Sequence, residues 1–281
     1  MGGIALVGAR WVTAVMRQLG IERPINALFV YPTMARLATQ LGGNHRLAVL
    51  PVIKVGERPA HIPLSFSQER LWFIDQMEGS LQYHISSVLR LRGKLDSEAL
   101  EKSFEEIVNR HEALRSVFYQ GEDGKVYQRI KEKGRWKLDN STDIFYKESP
   151  TILNQYIQQL IQSPFDLSKD DMLRGSLLRL GEEEHLLVVT MHHIASDGWS
   201  VGLIVKEAAS LYRSYSGGWP VELLPLEVQY ADYAIWQRNY LQGEVLGNKI
   251  SYWKKKLEKV SVLELPLDYP RPSVQSPRGA E

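Results

Sequence analysis

The apolar run Leu186-Leu187-Val188-Val189-Thr190-Met191 ends in two adjacent histidines, His192 and His193, and after Ile194-Ala195-Ser196 comes Asp197-Gly198. A stretch of helical character, Val201 to Tyr215, follows at once. A strand that ends in a short loop and turns into a helix sets its last side chains at the mouth of a sheet, where loops on a rigid scaffold carry chemistry. An imidazole ordinarily titrates near pH ~6.5, so it can take or give a proton around neutrality. Successive strand residues point to opposite faces. His193, at the strand end, is therefore the candidate for facing a cleft, where a fixed imidazole can serve in proton transfer. His192 should point the other way, into a structural hydrogen bond. Asp197 can accept from an arginine or a backbone N–H and hold the loop. Gly198 has no Cβ, so a substrate can pass close to its backbone. Adjacent histidines on a strand diverge, which does not suit the three or four convergent ligands that zinc wants.

The remaining chain alternates strand pairs with helices, the order of an α+β fold or an open mixed sheet. Ser65-Phe66-Ser67-Gln68 has the capping-box pattern and predicts a helix to about Gln76. Residues 84–92 alternate as a strand. Asp96 can cap a helix whose apolar face holds Leu100, Phe104, Ile107 and His111. Leu114 to Tyr119 reads as a strand, and Asp123-Gly124 marks a hairpin turn before Lys125 to Ile130. Residues 151–162 read as a helix. Met172 to Leu180 and His185 to Met191 form a second hairpin about Gly181-Glu182-Glu183. In the helix after Ser200 the apolar stripe is Val201, Val205, Ala208, Leu211 and Tyr215. Further helices are expected over Tyr230 to Leu241 and Lys249 to Lys259. Ahead of all this, residues 10–19 and 32–41 have helical spacing. Residues 43–62, with Pro51 and Pro59, read as a linker.

Composition narrows the function. A net charge of +1 gives no electrostatic case for nucleic acid or an anionic membrane. No apolar stretch approaches the roughly 20 residues of a spanning helix, and no signal peptide is evident. The chain has no cysteine, which removes disulfides, thiol nucleophiles and thiolate metal sites; a cytoplasmic location is the simplest expectation.

Four stretches, in order, carry a family resemblance: Ser65 to Phe73 (SFSQERLWF), Arg110 to Phe118 (RHEALRSVF), His192 to Ser200 (HHIASDGWS) and Tyr230 to Arg238 (YADYAIWQR). The chain resembles the condensation domain of nonribosomal peptide synthetases over residues 63–281, preceded over residues 1–42 by the end of a peptidyl carrier domain. The resemblance implies a fold like chloramphenicol acetyltransferase, an α/β sandwich of two similar lobes with a tunnel between them. The implied reaction is peptide-bond formation between an aminoacyl or peptidyl thioester on an upstream carrier and the α-amine of an aminoacyl thioester on a downstream carrier. His193 falls on the family's catalytic histidine. It takes a proton from the amine or stabilises the charged tetrahedral intermediate. Asp197 falls on an aspartate assigned a structural ion pair. Arg110 and Arg115 fall on arginines that support the active-site region, and both suit lobe-internal salt bridges equally well. The wording of the first and third signatures resembles the subtype joining an L-donor to an L-acceptor. Implied partners are the two carriers, each delivering its substrate on a 4′-phosphopantetheine arm, and the adenylation domain of the same synthetase. A monomer is the default.

Two departures bear on activity. The later signatures that complete a second lobe are absent, so the chain as read covers the first lobe and the start of the second, and alone should be a poor catalyst because orientation supplies much of a rate enhancement. Near the start the carrier's Gly-Gly-His/Asp-Ser-Leu reads Gly2-Gly3-Ile4-Ala5-Leu6. Alanine has no hydroxyl to bear a phosphopantetheine arm, although Leu28-Phe29 with Pro32-Thr33 matches the carrier pattern downstream. Two other readings stay open: an acyltransferase using a soluble coenzyme A thioester, and a non-catalytic docking platform or inert fragment.

Overall fold

The computed structural model describes residues 51–141, 150–221, 223–264, 266–270 and 273, with residues 14, 33, 35 and 36 besides. The chain divides into two units, Met1–Val52 and Ile53–Glu281. In the first, Ala14, Ala35 and Arg36 have helical backbone; the rest of the carrier-like reading, Ala5 included, lies outside the described residues. The second unit carries the four signatures.

The second unit is built on two sheets. The larger has four strands: β2 (His84–Arg92), β5 (Asp139–Ser141), β6 (Leu173–Gly181) and β7 (Glu184–His192), in the order β2-β7-β6-β5. β7 runs antiparallel to both neighbours, and β5 lies parallel to β6. The smaller sheet places β4 (Val126–Ile130) between β1 (Ile62–Pro63) and β3 (Ser116–Gln120), all antiparallel. β3 and β4 meet at Asp123-Gly124. Asp123 accepts from the Lys125 amide, and Gly124 takes φ 76°, a left-handed backbone that side chains with a Cβ avoid.

β7 explains where the core sits. As an inner strand it is covered on both faces, and its residues sort by parity. Leu187, Val189 and Met191 join Leu100, Phe104, Ile107, Ile204 and Leu211 in the main apolar cluster. Those partners lie on two helices, α2 (Ser97–Arg110) and α4 (Gly198–Gly217), which pack on that face. Leu186 and Val188 face the other way, onto Ile157 of α3 (Pro150–Gln162) and Leu178. His192 shares their parity. Burying side chains of this size contributes roughly 1.5–3 kcal/mol each, so the register of β7 is strongly fixed and the position of the histidines with it.

Local signals set the helix starts. Ser65 caps α1 (Phe66–Glu78) in a full capping box with Gln68, and the Asp96 carboxylate accepts from the Ala99 amide at the start of α2. α5 (Tyr230–Tyr240) and α6 (Gly243–Lys256) complete the unit. Among the described residues no helix is long and apolar enough to cross a membrane.

Several expectations need correction. The buried stripe of α4 runs through Ile204 and Leu211, while Val205 is 56% exposed. The helix meets the sheet along 201, 204, 208 and 211, and Val205 lies one position round. His111 is not a core residue of α2 but its cap, with Nε2 2.7 Å from Glu207 Oε2. Leu114 sits in a 3-10 turn, Glu112–Arg115, and the strand begins only at Ser116. α6 starts at Gly243 rather than near Lys249. At the end of the segment read as linker, Ile62 pairs with Gln128, and Arg58 binds Glu112 Oε2 at 2.8 Å and Asp232 Oδ1 at 2.9 Å. Residues 58–62 are thus held within the second unit.

Candidate active site

The two histidines have opposite environments. The ring of His192 is fully buried, edge-on to Phe165 and His84. Its Nδ1 accepts the Ile194 amide at 3.0 Å, and its Nε2 lies 2.9 Å from Ser80 Oγ. Burial, and after it the positive charge of His84, His193 and Arg174, pushes its pKa down to about 3. Unfolded, the same ring titrates near its ordinary 6.5. Between those values the unfolded chain binds a proton that the native chain refuses, so stability is full above pH ~6.5 and falls as the pH drops toward ~3. His192→Gln should flatten that acid limb; urea midpoints of variant and wild type compared from pH 7 to pH 4 check it, and parallel limbs would count against the assignment.

His193 is exposed. Its amide donates to the Tyr83 carbonyl at 2.9 Å, and its ring meets the Tyr83 ring edge-on with centroids 6.4 Å apart. The ring lines a cleft of about 390 Å³, together with Tyr83, Arg70, Ser67, Tyr230 and Asp197. The loop Ile194-Ala195-Ser196, which leaves the sheet and turns into α4, also lines the cleft. A polar cavity of about 450 Å³, lined in part by Arg135 and Arg174, lies elsewhere and includes neither motif histidine.

Asp197 holds that loop to the helix. One carboxylate oxygen accepts from the Trp199 amide at 3.0 Å, the Ser200 amide at 2.8 Å and the Ser200 hydroxyl at 2.7 Å. Burial pushes its pKa up, but these donors and the nearby His193 outweigh that, and the net position is below the usual carboxylate value. Among the described residues no ion pair of Asp197 is found. Where the resemblance implies an ion pair, the described residues show a helix cap, with all three donors coming from the first turn of α4. Asp197→Ala should cost about 1 kcal/mol, the usual loss for a removed cap, and lower activity as well. A melting curve identical to wild type would contradict the capping role.

The other residues singled out from the sequence stand apart from the cleft. Gly198 is the first residue of α4 and is not among the lining residues. Arg110 Nε lies 3.3 Å from Glu207 Oε1, and its Nη2 donates to the Leu224 carbonyl at 2.5 Å. Arg115 donates to the Lys131 carbonyl and lies 3.6 Å from Glu112. Both arginines tie elements of the lobe together. Tyr83, Arg70 and Tyr230 were missed as site residues. Arg70 and Tyr230 lie inside quoted signatures, but Tyr83 follows a helix end and carries no periodic signal.

A conserved-domain description, "Condensation domain", matches residues 59–281. The chain belongs to the condensation-domain family. This condensation-domain chain is 40% identical over 289 residues to a linear gramicidin synthase of Brevibacillus parabrevis, covering 100% of this chain and 6% of that protein. Against malpinin synthetase of Mortierella alpina it is 37% identical over 284 residues, covering 99% and 4%. It therefore spans a small fraction of the length of the relatives it matches. Among solved structures, the X-domain from teicoplanin biosynthesis in complex with OxyB superposes with a TM-score of 0.69 at 32% identity, over 81% of this chain and 50% of that one. The starter condensation domain of the rhizomide synthetase RzmA superposes with a TM-score of 0.63 at 20% identity, over 72% and 49%, a likeness of fold. The α+β lobe is that of the chloramphenicol acetyltransferase-like condensation fold.

Proposed function

We propose that this chain supplies the histidine-bearing lobe for peptide-bond formation between two carrier-delivered substrates in a nonribosomal peptide synthetase. The observation that carries the reading is the split between the histidines: His193 is exposed to a cleft while its neighbour is buried and neutral. In the proposed step the acceptor's α-amine attacks the donor thioester carbonyl. The new C–N bond forms, the C–S bond breaks, and the amine's proton ends on the departing pantetheine thiol. His193 serves either by taking that proton or by stabilising the charged tetrahedral intermediate. Asp197 keeps the loop in place, and Arg110 and Arg115 act only through the lobe's packing. Gly198 leaves the helix start free of a side chain. Carriers upstream and downstream bring the substrates on 4′-phosphopantetheine arms, and the adenylation domain of the same synthetase loads them. Residues 1–42 are proposed as the end of a carrier whose Ala5 cannot take an arm, with the condensation domain beginning near residue 58 rather than at 63. The preference proposed is an L-donor with an L-acceptor.

The test is a reconstitution. The synthetase containing this chain is given carriers loaded with L- or D-donor and an L-acceptor, and carrier-bound dipeptide is measured by mass spectrometry. Product from the L-donor at least tenfold above the D-donor is expected. Equal yields would overturn the stereochemical preference, and no product from either would overturn the activity.

A second reading has one specific observation behind it. The solved X-domain this chain resembles at 32% identity is held in a complex with OxyB, which supports a lobe whose task is to dock a partner. A His193→Ala synthetase that makes peptide at the wild-type rate would favour it.

A further inference from the structure

We propose that Asp75 and Ser80 are positioning residues for His193, acting through His192, in a hydrogen-bonded chain that fixes the backbone of the catalytic loop. The proposal rests on the reading of His193 given above.

The direction of each hydrogen bond follows from its donors. The Ile194 amide can only donate, so His192 Nδ1, 3.0 Å away, carries a lone pair. A neutral imidazole then holds its proton on Nε2, and Nε2 donates to Ser80 Oγ at 2.9 Å. The Ser80 hydroxyl donates onward to Asp75 Oδ1 at 2.5 Å. Asp75 stands in the last turn of α1, and its other oxygen receives the Gln76 side-chain amide at 3.3 Å. Ser80 is 4% exposed and His192 is fully buried, so an unmatched donor in this chain would meet no water. If Ser80 could not accept, the other tautomer of His192 would set Nδ1–H against the Ile194 N–H. Two donors would then face each other at the residue beside His193.

The same turn grips His193 directly. Gly79 closes α1 with φ 77°, and the 3-10 turn Leu81–Tyr83 follows, with the Tyr83 amide donating to the Ser80 carbonyl at 2.8 Å. The Tyr83 carbonyl receives the His193 amide. Residues 79–83 therefore hold the side chain of one histidine and the main chain of the next. Beyond them, the Ala195 amide and the Ser196 hydroxyl donate to the His192 carbonyl at 3.0 and 3.1 Å, so the loop is pinned on both sides of His193.

The experiment uses the full chain for spectroscopy and the synthetase containing it for kinetics. Two-bond ¹H–¹⁵N spectra of wild type should show His192 as the Nε2–H tautomer, with the Ile194 amide protected from exchange. Ser80→Ala should mix the tautomers and weaken that protection about tenfold. It should also lower kcat for peptide-bond formation about tenfold with KM for the loaded carriers unchanged, since a small misplacement of a reacting group costs rate. Ser80→Thr, which keeps the hydroxyl, should restore all three readouts, and Asp75→Ala should weaken them in the same direction. An Nδ1–H tautomer in wild type would overturn the proposal. So would a Ser80→Ala variant with altered His192 spectra and unchanged kcat, or an equal loss of kcat in Ser80→Thr. If the wild-type synthetase makes no peptide, the functional reading fails, while the tautomer and exchange data still decide whether this chain of bonds sets the loop.

Discussion

Replacing His193 with alanine in the intact synthetase is expected to slow peptide-bond formation from loaded carriers about 10²- to 10⁴-fold, the usual contribution of one positioned proton-transfer group. The fold should be unaffected. The ring is exposed, its contact is the edge of Tyr83, and the amide that anchors the residue stays bonded to the Tyr83 carbonyl. A surface change of this kind shifts stability by less than about 0.5 kcal/mol. Single-turnover formation of carrier-bound peptide, run beside thermal melts of the two proteins, separates chemistry from folding. His192→Ala should behave in the opposite way, losing stability, because it empties a fully buried site and strands the Ile194 amide.

Arg58→Ala is expected to destabilise the chain by about 3 kcal/mol, although residue 58 lies in a segment with the composition of a linker. Its guanidinium reaches Glu112, at the turn before β3, and Asp232, in the first turn of α5, whose side chain is 2% exposed. Removing Arg58 leaves a carboxylate buried with only the Gln229 amide as donor among its described partners. Burial pushes the Asp232 pKa up, but the Arg58 hydrogen bond, the Gln229 amide and the Arg58 charge outweigh burial and hold it below the usual carboxylate value. With its folded pKa lowered, Asp232 contributes stability that is present above the unfolded pKa and lost as the pH falls through the folded one. Urea unfolding at neutral pH should show the loss, and lowering the pH should narrow the gap between variant and wild type. A midpoint unchanged by the substitution would place residue 58 back in a linker.

Much of the lobe could be read from the sequence because its signals are local. Ser65 with Gln68, Asp96 before an amphipathic run and Asp123-Gly124 between strands each fix an element with residues only a few positions apart. The burial of His192 followed from strand parity, whereas His193 stands one residue past the end of β7, in the turn, where parity no longer sets its direction. What stayed hidden depends on contacts distant in sequence. The strand at Ile62 exists only because Gln128 pairs with it. Ser80 and Tyr83 gain importance only when β7 brings the histidines beside them, and nothing in their own neighbourhood has a period to betray that. The stripe on α4 was misjudged by one position because Ile204 and Val205 are both apolar and β-branched; the angle at which the helix meets the sheet, which spacing does not give, decides between them. For Asp197 the sequence left an arginine and a backbone N–H both open, because a cap and an ion pair ask for the same residue; the structure shows backbone donors.

The most direct measurement is photo-crosslinking from a carrier whose pantetheine arm ends in a photoreactive acyl group, added to the synthetase containing this chain, with the attachment sites mapped by mass spectrometry. Crosslinks should fall on the walls of the histidine cleft, at Tyr83, Arg70 and the loop from His193 to Asp197, and a competing acylated carrier should suppress them. Crosslinks confined to the separate cavity around Arg135 and Arg174, with none on the histidine loop, would show that the arm does not reach His193 and would contradict its role in joining the two substrates.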